Sequence, residues 1–279
     1  MKALQHIYQS ILYMEANLKN PITMSEAADA AGYSLYHFSR IFNQATGHSP
    51  YDYVIRRRLS EAARELINTD KKIIDLALDY QFNNPETFTR AFHKMFDILP
   101  SKLKSNNDYS DLIYLTPLTY DLLLHLKQNP IALPTIIKKD LLCFLGLVFY
   151  GETPDSESSL YQQLKNEIKK EKIKTANNYY SLLFNPTAWS CQKNGMIAVE
   201  INLNAETPGP LIMKKVIAAR YFLFPYHGKL DNINYTLSYL YQTWFPKSGF
   251  KPRIDLALIC HGNADHQQMV ILIPINRLN

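Results

Sequence analysis

The sequence predicts a multidomain protein, with an all-α N-terminal domain carrying two helix-turn-helix motifs and then an α+β domain of two tandem strand-helix-strand-strand modules. Three observations predict it. Apolar residues recur at helical spacing up to Lys104, and beyond Pro130 they gather into runs of strand length. The first half repeats itself: residues 37–50 (HFSRIFNQATGHSP) return as residues 87–100 (TFTRAFHKMFDILP). The second half does the same, with residues 134–139 (PTIIKK) returning as 210–215 (PLIMKK). A length of 279 residues suits two domains.

Along the first half, Leu4, Ile7, Tyr8, Ile11, Met14 and Leu18 form one apolar stripe of a helix. Residues 24–31 and a helix capped by Ser34 and running to Thr46 flank a turn at Gly32 and Tyr33, a helix-turn-helix layout. Phe38, Ile41, Phe42 and Ala45 face inward; Tyr36, His37, Ser39, Arg40 and Gln44 face outward. Ser49 and Pro50 open a longer helix over 50–68, as N-cap and first-turn proline. Asn84 and Pro85 open the second copy's outer helix, with Phe88, Phe92 and Met95 inward and Glu86, Thr89, Arg90 and Lys94 outward. The connecting helix of nineteen residues is roughly 28 Å long at 1.5 Å per residue. Successive major-groove faces of B-DNA lie about 34 Å apart, so one chain suffices to present a helix to each. Arginine pairs with guanine O6 and N7, and Ser or Thr bonds a base or a phosphate. Arg56, Arg57 and Arg58 lie on the connecting helix, where an internal ion pair competes with a phosphate contact.

In the second half, residues 141–150, 179–184, 197–203, 218–224 and 270–275 read as strands, and 160–170 and 233–245 as helices. Each copy runs from its lysine pair through a strand to Gly151 or Gly228, then a helix, then two closing strands ending INLN (201–204) or IPIN (273–276). The domains expected are 1–106, a linker over 107–132, and 133–279. This half is rich in aromatics, including Tyr179, Tyr180, Trp189, Phe222, Tyr226, Tyr239 and Trp244. Asp255 stands in the otherwise apolar run RIDLALIC, where alternation sets it on the face opposite Ile254 and Leu256. A carboxylate is costly in a packed core, so that face is solvent or a cleft.

The net charge of +5 permits a polyanionic partner without requiring one. Cys143, Cys191 and Cys260 are odd in number and widely spaced, so reduced thiols are expected, with no metal site and no cofactor. The N-terminal MKALQHIYQS lacks a signal-peptide core, and the longest apolar run, 141–149, is too short to span a bilayer as a helix. A soluble, cytoplasmic protein is expected. GxSxG, HExxH and a glycine-rich phosphate loop are all missing, which argues against an enzyme. His227 and Glu200 are the loose acid–base candidates.

Two stretches, AAGYSLYHFSRIFNQATGHSPYDYV and LALDYQFNNPETFTRAFHKMFDILPSKLK, give residues 1–104 a resemblance to the DNA-binding domain of AraC-type transcription regulators. That resemblance implies double-stranded DNA as partner, read by Tyr36, Ser39 and Arg40 and by Glu86, Thr89 and Arg90. Thr87 is a further candidate, and His37 is expected at a phosphate. Gln81 stands where the family has a turn glycine, and Glu86 is acidic at a groove-facing place. Residues 133–279 resemble the GyrI-like effector-binding domain, through the duplication, YFLFPYHGKLDNINYTLSYLYQTWFPKSGF and the closing ILIPIN. This is similar to the architecture of Rob-type regulators. It implies a small organic effector, cationic or aromatic, met by Asp255, Tyr226, Trp244, Tyr180 and Phe222. Val270 stands where members carry a glutamate. RNA polymerase is a candidate partner. Three readings of the second half stay open: a small-molecule sensor, a protein-binding module and a GyrI-like hydrolase.

Overall fold

A computed structural model describes residues 2–105, 112–151, 159–175, 178–186, 194–202, 209–261 and 269–276. Trp189, Cys191 and the last two residues of INLN lie outside them. The chain forms two compact units. One takes in Met1–Gln128 and Tyr239–Pro246; the other takes in Asn129–Ser238 and Lys247–Asn279.

The first unit is helical. α1 (Lys2–Ala16) buries Leu4, Ile7, Ile11 and Met14, the stripe expected from their spacing. α2 (Met24–Ala30) starts with a reciprocal cap: Thr23 Oγ1 accepts from the Glu26 amide, and the Thr23 amide donates to Glu26 Oε2 at 2.8 Å. The turn places Gly32 at φ 66°, and α3 (Leu35–Thr46) follows. α3 ends on Gly47 at φ 76°, a left-handed cap that favours glycine. α4 (Pro50–Asn68) is capped by the Ser49 side chain, with Pro50 in its first turn. The second copy repeats these steps with α5 (Ile73–Asp79), a turn at Gln81, and α6 (Pro85–Phe96) capped by Asn84. Gln81 has φ 62° and Asp97, the C-cap of α6, has φ 58°. Left-handed geometry thus recurs at both turn positions and both C-caps, with a non-glycine residue in the second copy each time.

α4 is held by its own arginines. Arg57, 2% exposed, donates through Nε and Nη2 to Glu15 at 2.8 Å each, and Nη2 also reaches Glu61 at 2.8 Å. Its Nη1 donates to the Leu115 carbonyl at 2.6 Å. Arg58 donates to the carbonyls of Leu18 and Asn20, and Arg56 pairs with Asp52. After α7 (Pro100–Ser105), the chain from Leu112 packs back on this unit. Leu112 and Tyr114 join the core built by Leu59, Leu66, Phe88 and Phe92, and α8 (Tyr120–Gln128) packs on α1. The segment Tyr239–Pro246 also belongs here. Thr243 Oγ1 lies 3.0 Å from His48 Nε2, and Gln242 Oε1 accepts from the amide and hydroxyl of Thr116. His48 Nδ1 in turn meets Asp52 at 2.7 Å.

The second unit is one eight-stranded antiparallel sheet: β1 (Thr135–Lys139), β2 (Leu142–Tyr150), β3 (Tyr179–Phe184), β4 (Asn194–Ile201), β5 (Ile212–Val216), β6 (Ala219–Tyr226), β7 (Leu256–Cys260) and β8 (Met269–Ile275). The spatial order is β1-β6-β8-β7-β3-β4-β2-β5. Reversing that order exchanges each strand with its counterpart in the other copy. The duplication read from the sequence is therefore a pseudo-two-fold, with its axis between β7 and β3. PTIIKK and PLIMKK are strands in their own right, and they are exchanged: β1 pairs with β6 of the second copy, and β5 with β2 of the first. Each module thus gains a leading strand beyond the four elements expected. α9 (Ser159–Lys170) packs on β2 and β4, burying Tyr161 and Leu164. α10 (Ile233–Tyr239) runs into a π-helical turn, Leu240–Trp244, and α11 (Phe245–Ser248).

Candidate nucleic-acid interface

The candidate surface is built by burying one face of each short helix. Phe38 and Phe42 of α3 and Phe88 and Phe92 of α6 are fully buried, which fixes the rotation of both helices about their axes. The opposite faces are left to solvent. On α3, Tyr36 is 81% exposed, Arg40 and Gln44 are exposed, and His37 and Ser39 are half-buried. On α6, Glu86, Thr87, Arg90 and Lys94 are exposed and Thr89 is half-buried. All eight predicted DNA-facing residues thus lie on two helices, four on each. His37 stacks edge-on against Tyr33 at 5.0 Å, and Tyr33 meets His6 of α1 at 5.5 Å. Periodicity in α3 did not point to His6. On α6, Pro85, Glu86, Thr89, Arg90, His93 and Leu99 line an open hollow of about 450 Å³. Arg56, Arg57 and Arg58 are taken up by Asp52, Glu15, Glu61 and main-chain carbonyls, so the connecting helix spends its arginines on its own packing.

The five residues expected at an effector site are dispersed. Tyr180 lies on one face of the sheet, in a cluster with Phe144, Leu182, Met196, Leu258 and Tyr221. Phe222 is one residue on from Tyr221 and so faces the other side, packed on Phe224 and Phe250. Tyr226 shares the Phe222 side by alternation and donates its hydroxyl to the Lys229 carbonyl at 2.6 Å. Trp244 falls in the segment that belongs to the first unit. Asp255 stands just ahead of β7, exposed, and is gripped by Arg253 through both guanidinium arms. Burial works against its ionisation, but Arg253 outweighs that and holds its carboxyl below the ordinary range. On the Tyr180 face stands an acid, Glu200, whose sequence context alone offers only a loose acid–base candidate. Glu200 is directly across from Phe144 in the register and accepts from Tyr180 Oη at 3.0 Å. Tyr221 Oη, on the same face, is buried with no hydrogen-bond partner among the described residues. His227 is exposed at the end of β6, separated from the Glu200 strand by β8, β7 and β3, or roughly 19 Å of sheet at 4.8 Å per strand. Among the described residues no cluster of His, Cys, Asp and Glu is arranged to hold a metal, and no helix is long and apolar enough to cross a membrane. Cys143 and Cys260 are free and buried.

Residues 27–106 match the model of a helix-turn-helix domain family. The chain is 36% identical over 112 residues to the HTH-type transcriptional activator AarP of Providencia stuartii, a match spanning 40% of this chain and 83% of that protein. The chain belongs to the AraC-type family of transcription regulators. It is also 38% identical over 100 residues to the transcriptional regulator Rob of Salmonella typhimurium, covering 36% of this chain and 35% of Rob. A crystal structure of an AraC-type DNA-binding domain-containing regulator from Chromobacterium violaceum is similar over 36% of this chain and 90% of its own, at 27% identity and a TM-score of 0.35. In this AraC-type regulator Gln81 stands where the first copy has Gly32. The left-handed φ of Gln81 shows that the turn keeps its shape without glycine, while the side-chain Nε2 donates to the Lys19 carbonyl at 2.7 Å.

Proposed function

We propose that this AraC-type regulator reads duplex DNA with Tyr36, Ser39 and Arg40 of α3 and with Glu86, Thr87, Thr89 and Arg90 of α6, while His37 meets a phosphate. The observation that carries this reading is the duplication of an exposed arginine on two helices whose opposite faces are locked by buried phenylalanines. The test is quantitative. Arg40→Ala and Arg90→Ala each cost roughly 1–3 kcal/mol of specific binding, and each relaxes selectivity at its own base position. An arginine whose loss weakens all sequences equally is a phosphate contact instead.

The second half, in the same proposal, senses a small organic molecule, cationic or aromatic. Supporting it are an acid and two phenols on one sheet face, Glu200, Tyr180 and Tyr221, with Phe144 edge-on to Tyr180 at 5.0 Å; Lys214 of β5 shares the face, its Nζ 5.2 Å from the Phe184 ring. An acceptor among aromatic rings favours a cation, by charge and by the ring quadrupole. Asp255, already paired with Arg253, takes a secondary place. Titrating the full chain with cationic, neutral and anionic aromatics, read by calorimetry, tests this. Glu200→Gln is expected to weaken cations selectively and Asp255→Asn to change little. A panel with no binder favours a protein-binding module. RNA polymerase belongs to this proposal as the partner through which DNA binding becomes regulation.

A further inference from the structure

The two reading helices differ sharply at one outward position. At the fifty-residue offset of the duplication, Ser39 matches Thr89 and Arg40 matches Arg90, so hydroxyl and guanidinium recur. Tyr36 is matched by Glu86. One scaffold position, exposed in both copies, carries a phenol in the first and a carboxylate in the second.

Folding leaves Glu86 unused. The α6 cap is completed by Asn84, whose side chain accepts from the Thr87 amide at 2.8 Å. Glu26, by contrast, is consumed by its cap, closing on Thr23 at 2.8 Å. Among the described residues the Glu86 carboxylate has no hydrogen bond or ion pair, and neither has the Arg90 guanidinium. They stand four residues apart on α6, the spacing at which Arg56 closes on Asp52 at 3.0 Å and Arg57 on Glu61 at 2.8 Å within α4. Both line the open hollow with Thr89 between them. The helix dipole favours an acid in this first turn. That same acid repels the phosphates a DNA-binding helix must approach, so a purely structural role works against binding.

We infer that Glu86 and Arg90 act as a pair that reads a cytosine and a guanine. A carboxylate only accepts. The major groove offers it donors on cytosine N4 and adenine N6, but adenine sets the N7 acceptor beside its donor, which a carboxylate repels. Cytosine is the base that fits. Arg90 donates to guanine O6 and N7. Their side chains rise from points about 5–6 Å apart on the helix, and base pairs are about 3.4 Å apart along the axis. The two bases therefore lie in one pair or in neighbouring pairs. The first copy has no acid at this position, so the cytosine requirement falls on the half-site of α6 alone. Repulsion from phosphate adds selectivity, because it weakens α6 wherever no cytosine amino group is there to offset it.

The experiment uses the full chain and a duplex pool with randomised positions. The selected site is expected to hold a C and a G, in one base pair or in neighbouring pairs, within the half-site that Arg90→Ala relaxes. Replacing that C by another base should weaken wild type roughly 5- to 150-fold. Glu86→Gln should switch the preference at this position to adenine, since glutamine pairs with N6 and N7. A cytosine analogue lacking the 4-amino group should weaken wild type but leave Glu86→Ala unaffected. Circular dichroism on each variant checks that α6 is intact, and Arg40→Ala, acting in the other half-site, serves as the control. A selected site without this C, or a Glu86→Gln protein with unchanged base preference at every position and higher affinity for all sequences, overturns the inference and leaves Glu86 as a helix-terminal acid. DNA reading by α3 is judged separately, by the bases that Arg40→Ala relaxes.

Discussion

At the scale of single residues, the second helix-turn-helix copy does with side chains what the first does with backbone freedom. Left-handed backbone costs an L-residue roughly 1–2 kcal/mol, which Gly32 avoids and Gln81 does not. Gln81 recovers part of it through its bond to the Lys19 carbonyl, at about 0.5–1.5 kcal/mol for a typical net hydrogen bond. Gln81→Ala keeps the strain and loses the bond, so a destabilisation of about 1 kcal/mol is expected from urea midpoints. Gln81→Gly loses the bond and the strain together and should cost less than half as much. Equal costs for the two variants would mean that backbone strain has no part in the balance. Glu65 supplies a pH handle. Burial alone would raise its pKa, but hydrogen bonds from Lys19, Lys71 and Tyr80 bring it down to about 2. Asp52 is likewise opposed by burial and drawn down to about 2 by His48 and Arg56. Depressed carboxyl pKa values stabilise the fold fully above the unfolded range, near 4, and that stability is lost as pH falls toward 2. Wild type should therefore lose stability between about pH 5 and 2, and Glu65→Gln should be weaker at pH 7 with a flatter decline over that window.

At the scale of elements, the boundary of the first unit is set by bonds that cross residue 106. Ser60 Oγ accepts from the Leu115 amide, Tyr53 Oη accepts from the Leu118 amide, and Arg57 donates to the Leu115 carbonyl. A fragment ending at 106 strips these partners and uncovers the sites of Leu112, Tyr114, Leu115 and Leu118, all buried. A fragment of residues 1–128 should exceed residues 1–106 in urea stability by more than about 3 kcal/mol, even after discounting for a compact unfolded state. Equal stability would show that the returning chain only decorates the helices. The same elements show what the sequence made legible. α3, α4 and α6 follow from apolar period, caps and duplication, and β2, β3, β6 and β8 from run length. The leading strands β1 and β5 and their exchange do not follow, because TIIKK is short, without two-residue alternation, and carries no sign of a partner some eighty residues away. The outward faces of α3 and α6 were legible because buried phenylalanines set the rotation of a short helix. The sheet faces of Tyr180 and Phe222 were not legible: alternation sorts residues within one strand, but these two sit on different strands, and only the register shows that they face opposite sides. Glu200 was visible as an acid on a strand, but its phenol partner Tyr180 lies twenty residues back and across a sheet pairing.

At the scale of the whole molecule, α3 and α6 are joined through one packed helix within a single compact unit. α4 joins them over nineteen residues, roughly 28 Å at 1.5 Å per residue. Two of its arginines, Arg57 and Arg58, are bonded to α1 and to main-chain carbonyls outside α4, and its flanks pack on α3, α5, α6 and α7. Distance and rotation between α3 and α6 are therefore both fixed, which a flexible linker would leave free. In the proposed reading, a single chain meets two segments of major groove about one helical turn apart, near 34 Å, without a second copy. The consequence is a spacing rule that separates this arrangement from a tethered pair. Inserting about five base pairs between the two half-sites turns one of them to the far side of the duplex. Inserting about ten restores the facing but adds a full turn of distance. Two flexibly joined readers lose affinity with the first insertion and recover much of it with the second. Here both insertions should drop binding to that of one half-site, and Arg90→Ala should then cost nothing further on either duplex. The stoichiometry on the unmodified site should be one chain per duplex in sedimentation. Recovery of affinity with the ten-base-pair insertion, or two chains on the unmodified site, would mean that α4 does not set the distance at which this regulator reads.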